Sequence, residues 1–301
     1  MAGWIGLLSL MLLVLGAGSA RPQSLMSGHT LTVPYGEDER RADELRTTGE
    51  RRQGRWVLLF TPTGTDDPAE DALLVQLDNG VAALYRIVGR HDWQVLRTPI
   101  ITIYVSAERF EPHTYGRGVF VPLERLQHEG PALVLHEAAH DVLRSVAPGD
   151  RVPVPFPFWL TEGLADYVTL VAADRAGLRG ESARYPGGSR SADAACSTGL
   201  KGRHGNTVAP HIGGAGAPST GRIADGDEVM PLFRACSTSF VKYLVESVGL
   251  PAVIGLMPLL STPPEAASFH IYAVQRKIEQ LTGAPLDTLR AEWRAAIDKM
   301  V

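Results

Sequence analysis

The spacing of apolar residues predicts that the first half of this chain combines helices with strands. Between residues 67 and 88, apolar side chains recur every three or four positions, which predicts an amphipathic helix. Short runs rich in β-branched and apolar residues predict three strands, at 55–60, 98–105 and 118–123. The segments 131–145 and 158–170 return to the helical period and predict two further helices.

The second half of the chain predicts helices alone. Helical spacing covers the segments 231–248, 250–260 and 265–299. Before them, residues 180–222 are rich in Gly and Ser and predict a long irregular stretch. Loops of that length are either disordered or functional, and a lid over a cleft is the functional alternative.

The predicted fold class is therefore α+β, with two lobes. Residues 56–175 make an N-terminal lobe around a small mixed sheet. Residues 176–228 make the Gly/Ser-rich irregular segment, and residues 229–301 make a mostly helical C-terminal lobe. A cleft between two lobes is a common place for a functional site.

The N-terminal residues predict export. An apolar stretch from Trp4 to Leu15 is followed by small residues, which is the pattern of a signal peptide at residues 1–20. An uncleaved membrane anchor is the alternative, because residues 2–20 approach the roughly 20 apolar residues that span a bilayer. Residues 21–55 follow with dense mixed charge and no apolar period, which predicts a charged linker or a pro-segment, either disordered or a loose helix.

Composition and charge are typical of a folded enzyme. The 301 residues are 45% hydrophobic, which is enough to bury a sizeable core. A net charge of −4 provides no basic field, so no nucleic-acid partner is predicted. The two cysteines, Cys196 and Cys236, leave two alternatives, either one disulfide in an oxidising compartment or two free buried thiols.

One run of residues carries metal-binding chemistry, namely His136-Glu137-Ala138-Ala139-His140. Residues four apart on a helix lie on one face, so the two imidazoles can bind one metal ion. Glu137 lies beside them, where a carboxylate can take a proton from a water molecule that the metal activates. The alternative is a buried core helix in which both histidines are simply hydrogen-bonded.

A second run, from Trp159 to Tyr167, supplies a third ligand in Glu162. Two His and one Glu leave one position of a tetrahedral zinc ion open, which is typical of a catalytic zinc site. Asp166 lies one helical turn after Glu162, where it can accept the ring N–H of a ligand histidine and fix its tautomer. A solvent-exposed helix residue is the alternative for Asp166.

The H-E-x-x-H run and the E-G-x-A-D-Y segment at 162–167 together resemble the gluzincin branch of the zincin metallopeptidases. The similarity is to the peptidase MA-like proteins and to the plant-type basic secretory proteins. The resemblance implies a zincin-like N-terminal lobe and one Zn²⁺ per chain. It implies that His136, His140 and Glu162 are the zinc ligands, and that Glu137 is the general base.

The resemblance also implies how a substrate binds. In zincins, the strand before the active helix is a sheet edge that pairs with an extended peptide, and an ordinary internal strand is the alternative here. The residues placed at that edge are Gly118, Val119 and Phe120. Gluzincins often stabilise the oxyanion with a Tyr or a His from the C-terminal lobe. The candidates in this chain are Tyr243, His270 and Tyr272.

These features predict an exported zinc metallopeptidase, periplasmic or secreted, that cleaves a peptide or protein substrate with a zinc-activated water. The chain has no upstream G-x-M-E-N segment of the related aminopeptidases, which favours an endopeptidase. Two alternatives stay open, a non-peptidase zinc hydrolase on the same scaffold and a catalytically silent peptide-binding module. A membrane is a partner only if the N-terminal segment stays uncleaved.

Overall fold

The structure is a computed structural model that describes residues 35–64, 67–89, 100–115, 118–146, 157–178, 189–214, 226–260 and 267–299. The predicted signal peptide or anchor at residues 1–20 lies outside these ranges, and so do residues 21–34 of the predicted linker. Within the described ranges the fold is α+β, with a small mixed sheet and a majority of helix, as the sequence predicted.

Five strands form one mixed sheet. They are β1 (Glu50–Gln53), β2 (Val57–Thr61), β3 (Ile101–Ser106), β4 (His113–Tyr115) and β5 (Gly118–Pro122). The order across the sheet is β1-β2-β3-β5-β4, with the central three strands parallel and the two outer strands antiparallel to their neighbours. The three predicted strands are the central ones, and their nearly continuous burial matches their apolar composition.

The expected substrate edge at Gly118, Val119 and Phe120 is wrong, because β5 is an internal strand. Gly118, for example, pairs with Thr102 of β3 on one side and with Tyr115 of β4 on the other. The sheet edge next to β5 is instead strand β4, whose three residues are half-buried. A strand this short contains too few residues to show an alternating pattern in the sequence.

The predicted charged linker is wrong over residues 35–53, which form helix α1 (Tyr35–Thr48) and strand β1. Helix α1 covers one face of the sheet. There, Ala42 and Leu45 pack against aromatic side chains of the three central strands. This segment is therefore part of the folded core and not a tether.

Charged side chains hold α1 on the sheet, which explains why its pattern in the sequence resembled a linker. Arg41 is buried and forms ion pairs with Asp38 and Glu108. Its guanidinium carbon also lies 4.6 Å from the centre of the Phe110 ring. Long charged side chains can cover apolar surface along their stems, so a helix can be buried without a wide apolar stripe.

The opposite side of the sheet carries the helices that contain the metal-binding motifs. They are α2 (Asp67–Ile87), α4 (Pro131–Arg144) and α5 (Phe158–Arg175), and the short α3 (Leu123–Glu129) leads into α4. Pro131 occupies the first turn of α4, where its fixed φ suits a helix start. Gly130 joins α3 to α4 with a φ of 76°, a left-handed conformation that favours glycine.

The C-terminal half is helical, but the helices begin earlier than predicted. They are α6 (Ser189–Lys201), α7 (Gly205–Val208), α8 (Gly226–Val248), α9 (Leu250–Ile254), α10 (Ala267–Thr282) and α11 (Leu286–Asp298). The predicted irregular segment is therefore wrong over α6 and α7. Ala192, Cys196 and Leu200 recur every four residues and are buried, but the Ser and Gly residues around them obscure this stripe in the sequence.

Helix α8 is central to this half and packs on both α5 and α6. A Cβ atom at Gly163 of α5 would lie 2.5 Å from the carbonyl oxygen of Ser237, so only glycine lets α5 and α8 approach this closely.

In the described part of the chain, no single helix is long and apolar enough to cross a membrane. The segments Val229–Val248 and Leu250–Leu260 meet those criteria only as a pair bent by 119°.

A disulfide joins Cys196 of α6 to Cys236 of α8, so the structure contains the bonded alternative for the two cysteines. The bond closes a separation of 40 residues.

Replacing both cysteines by Ala is expected to lower the free energy of unfolding by about 4 kcal/mol, because the unfolded chain gains loop entropy. Urea unfolding without reductant measures this difference. The wild-type protein with reductant should unfold at the same urea concentration as the variant. A variant that unfolds at the midpoint of the oxidised wild type would contradict the prediction.

Candidate metal centre

The three predicted ligands meet where α4 packs on α5. His136 and His140 lie one turn apart on α4, and their Nε2 atoms are 3.1 Å apart. Glu162 of α5 faces both rings, with Oε2 3.6 Å from Nε2 of His136 and Oε1 3.6 Å from Nε2 of His140. Packing of the two helices therefore brings two imidazole nitrogens and one carboxylate to a single point.

These separations fit one tetrahedral metal ion. Ligand atoms about 2.1 Å from a tetrahedral zinc lie about 3.4 Å from one another. The closest approaches between the three residues are 3.1, 3.6 and 3.6 Å, the last two to different oxygens of Glu162. The side chain of His136 is 2% exposed, whereas those of His140 and Glu162 are 20% and 17% exposed, so the cluster is open on one side. Imidazole with carboxylate suits zinc, and imidazole also suits copper, iron and nickel.

Asp166 lies behind the cluster, at the ring nitrogen of His136 that faces away from the other ligands. Its Oδ1 is 2.7 Å from Nδ1 of His136, and its side chain is fully buried. Thr238 of α8 donates a hydrogen bond to Oδ2 at 3.1 Å. When Nδ1–H donates to Asp166, Nε2 keeps its lone pair for a metal ion, so the carboxylate selects the tautomer that can bind.

Arg234 of α8 is the site residue that the sequence analysis missed. Its Nη2 donates to Oδ1 of Asp166 at 2.9 Å and lies 3.1 Å from Nε2 of His136. Its Nε is 4.0 Å from Oε2 of Glu162, and its side chain is 22% exposed. The signal in the sequence is weak: Arg234 and Thr238 are polar residues one turn apart on a helix whose buried face also includes Ser237 and Ser239.

The charges around the cluster keep its carboxylates ionised. Burial opposes ionisation of Glu162, but His140, His136 and Arg234 lower its pKa to about 2. Burial likewise opposes ionisation of Asp166, but Arg234 and His136 hold its pKa far below the usual range. Burial and Arg234 act to lower the pKa of His136, but Asp166 and Glu162 raise it to about 9. At neutral pH both carboxylates therefore carry the charge that metal binding requires, and a metal ion that binds Nε2 of His136 displaces a proton from that ring.

Glu137 lies beside the three ligands and is 9% exposed. Its Oε1 is 4.0 Å from Nε2 of His136, which is farther than any separation among the three ligands. Its Oε2 is 3.3 Å from the hydroxyl of Thr114 on β4. The carboxylate thus directs one oxygen towards the cluster and the other towards the edge strand.

Two of the three predicted oxyanion donors, Tyr243 and Tyr272, make contacts away from the cluster or face solvent. Tyr243 donates its hydroxyl to Glu292 of α11 at 2.9 Å, and Tyr272 is 61% exposed on α10. His270 belongs to α10, but its side chain lies outside the described residues. Arg234 of α8, by contrast, lies beside the cluster, with Nε 4.0 Å from Oε2 of Glu162.

Comparisons of this chain with protein-family models, with curated proteins and with solved structures found no significant match. The interpretation of the site therefore rests on the geometry and the chemistry of the described residues.

Proposed function

We propose that this protein is a zinc-dependent metallopeptidase that acts as an endopeptidase on a peptide or protein substrate. The observation that carries the proposal is the joint position of His136, His140 and Glu162, at separations that fit one tetrahedral ion, with Glu137 beside them. Three protein ligands leave one position for a water or a substrate, whereas a structural zinc usually has four protein ligands.

Each residue of the site has a part in the proposed hydrolysis. His136, His140 and Glu162 would hold the zinc ion, which would act as a Lewis acid and lower the pKa of water towards roughly 7. Glu137 accepts the proton of the attacking water through Oε1 and delivers it to the leaving amine nitrogen. Arg234 lies beside Glu162, where its N–H groups can donate to the oxygen of the scissile carbonyl. It would thus stabilise the oxyanion, the role for which the sequence had suggested a Tyr or a His.

Strand β4 is the proposed substrate-binding edge. It is antiparallel to β5, it ends the sheet, and Thr114 at its centre contacts Glu137. An extended peptide that pairs with β4 would gain backbone hydrogen bonds whatever its side chains are. This arrangement of an antiparallel edge strand over the metal-binding helix is the zincin-like lobe that we propose.

The buried disulfide supports an oxidising compartment, and hence export.

Elemental analysis of the purified protein tests the metal centre. We expect one zinc per chain in the wild type and a large loss in Glu162→Ala, because that change removes one of three ligands. Glu246→Ala is the matched control, since Glu246 is a 65% exposed glutamate on α8 with no contact to the cluster. Casein hydrolysis, measured on the same samples, should follow the zinc content.

Other outcomes have definite meanings. No zinc after reconstitution with the metal would overturn the proposal and leave a buried pair of helices. Zinc without hydrolysis of casein or of shorter peptides would favour the non-peptidase hydrolase or the peptide-binding module. Zinc retained in Glu162→Ala would exclude Glu162 as a ligand.

A further inference from the structure

Thr114, at the centre of β4, contacts the proposed general base at two atoms. Its hydroxyl is 2.9 Å from the backbone carbonyl oxygen of Glu137 and 3.3 Å from Oε2 of the same residue. A threonine hydroxyl carries one proton, so these two acceptors share it. The contacts connect the edge strand to the metal-binding helix across 23 residues of sequence.

This contact determines which oxygen of Glu137 faces the metal-binding cluster. With Oε2 held at Thr114, Oε1 lies 4.0 Å from Nε2 of His136. The last torsion of a glutamate side chain is broad and roughly twofold, so a carboxylate without such a partner samples many orientations. A hydrogen bond to one oxygen restricts the carboxylate and thereby orients the other oxygen.

The rest of β4 keeps Thr114 in place. Successive side chains of a strand point to opposite faces, so His113 and Tyr115 lie on the face that α1 covers. The His113 ring stacks on Phe120 with 5.5 Å between ring centres, and its Nε2 is 2.8 Å from Oδ2 of Asp38 on α1. Contacts on both faces of the sheet therefore hold this short edge strand.

We propose that Thr114 is a positioning residue for Glu137: the Thr114 hydroxyl holds the Glu137 carboxylate so that Oε1 faces the water that attacks the scissile carbonyl. This inference rests on the proposed peptidase function. Because β4 is also the proposed substrate edge, the same strand sets the register of the peptide and the orientation of the base. Alignment of both groups before reaction is a large source of rate enhancement.

Two variants separate the hydroxyl from the shape of the side chain. Thr114→Val keeps the branched shape and loses the donor, whereas Thr114→Ser keeps the donor. We expect kcat for peptide hydrolysis to fall about tenfold in Thr114→Val, the loss of one hydrogen bond to a charged group. KM and zinc content should stay at wild-type values, and Thr114→Ser should recover most of kcat. Equal falls in both variants, or a change in KM alone, would overturn the proposal.

A second measurement needs no hydrolysis. Urea unfolding of the zinc-free protein gives the cost of Thr114→Val in the wild type and in a Glu137→Ala background. The contact with the carboxylate predicts a smaller cost in the second background, while the contact with the backbone carbonyl is common to both. Equal costs would overturn the proposal. If the wild type cleaves no peptide, the proposed function fails, and this cycle still decides whether Thr114 holds the Glu137 carboxylate.

Discussion

Glu137→Gln is expected to lower kcat for peptide hydrolysis by about a thousandfold while the protein keeps its zinc. Gln has the shape of Glu, but its neutral amide does not take a proton from water at neutral pH. The three ligands do not include Glu137, whose Oε1 is 4.0 Å from Nε2 of His136, so the change leaves them in place. Peptide hydrolysis and elemental analysis on one preparation measure both effects.

Glu129→Gln is the matched control for this prediction. Glu129 is 6% exposed, close to the 9% of Glu137, but it pairs with Arg125 on α3 and not with the cluster. Its replacement should lower stability and leave both zinc and hydrolysis in place. Full activity in Glu137→Gln would exclude Glu137 as the base. Loss of zinc in that variant would instead assign Glu137 to the ligands.

The proposed ligand set could be predicted from the sequence because most of its geometry is local. His136 and His140 are one turn apart on a helix whose apolar residues define its buried face. Glu162 and Asp166 share a face of α5 for the same reason. Only the packing of α4 on α5 had to be assumed. The glycine at position 163 suggested a close approach of these two helices, but the structure places its close contact between α5 and α8.

The parts that the sequence did not predict depend on long-range packing. Arg234 contacts Asp166 although the two residues are 68 positions apart in the sequence, so helical or strand spacing cannot predict the contact. The edge strand β4 has only three residues, which is too few for an alternating apolar pattern to be recognised in the sequence. The buried face of helix α1 includes the ion-paired Asp38 and Arg41 as well as Ala42 and Leu45, and charged residues in a sequence are more often a sign of exposure. In each case tertiary contacts override the local pattern.

Asp166→Asn is expected to weaken zinc binding by about 10- to 100-fold and to lower the free energy of unfolding by about 3 kcal/mol. The carboxylate is fully buried and accepts from both His136 and Arg234. A neutral amide leaves the charge of Arg234 without its buried partner, which costs stability. It also no longer enforces the His136 tautomer that has Nε2 free. Competition with a chromophoric chelator gives the zinc affinity, and urea unfolding gives the stability.

Asp193→Asn distinguishes these two effects. Asp193 is also a buried carboxylate, and it accepts hydrogen bonds from Ser239 and Lys242 at 2.6 Å each, between α6 and α8. Its replacement should lower stability by a comparable amount and leave zinc affinity unchanged, because none of its partners touches a metal ligand. Equal zinc affinities in the two variants would reduce Asp166 to a structural residue. A loss confined to Asp166→Asn would show that this carboxylate supports the metal site beyond its contribution to stability.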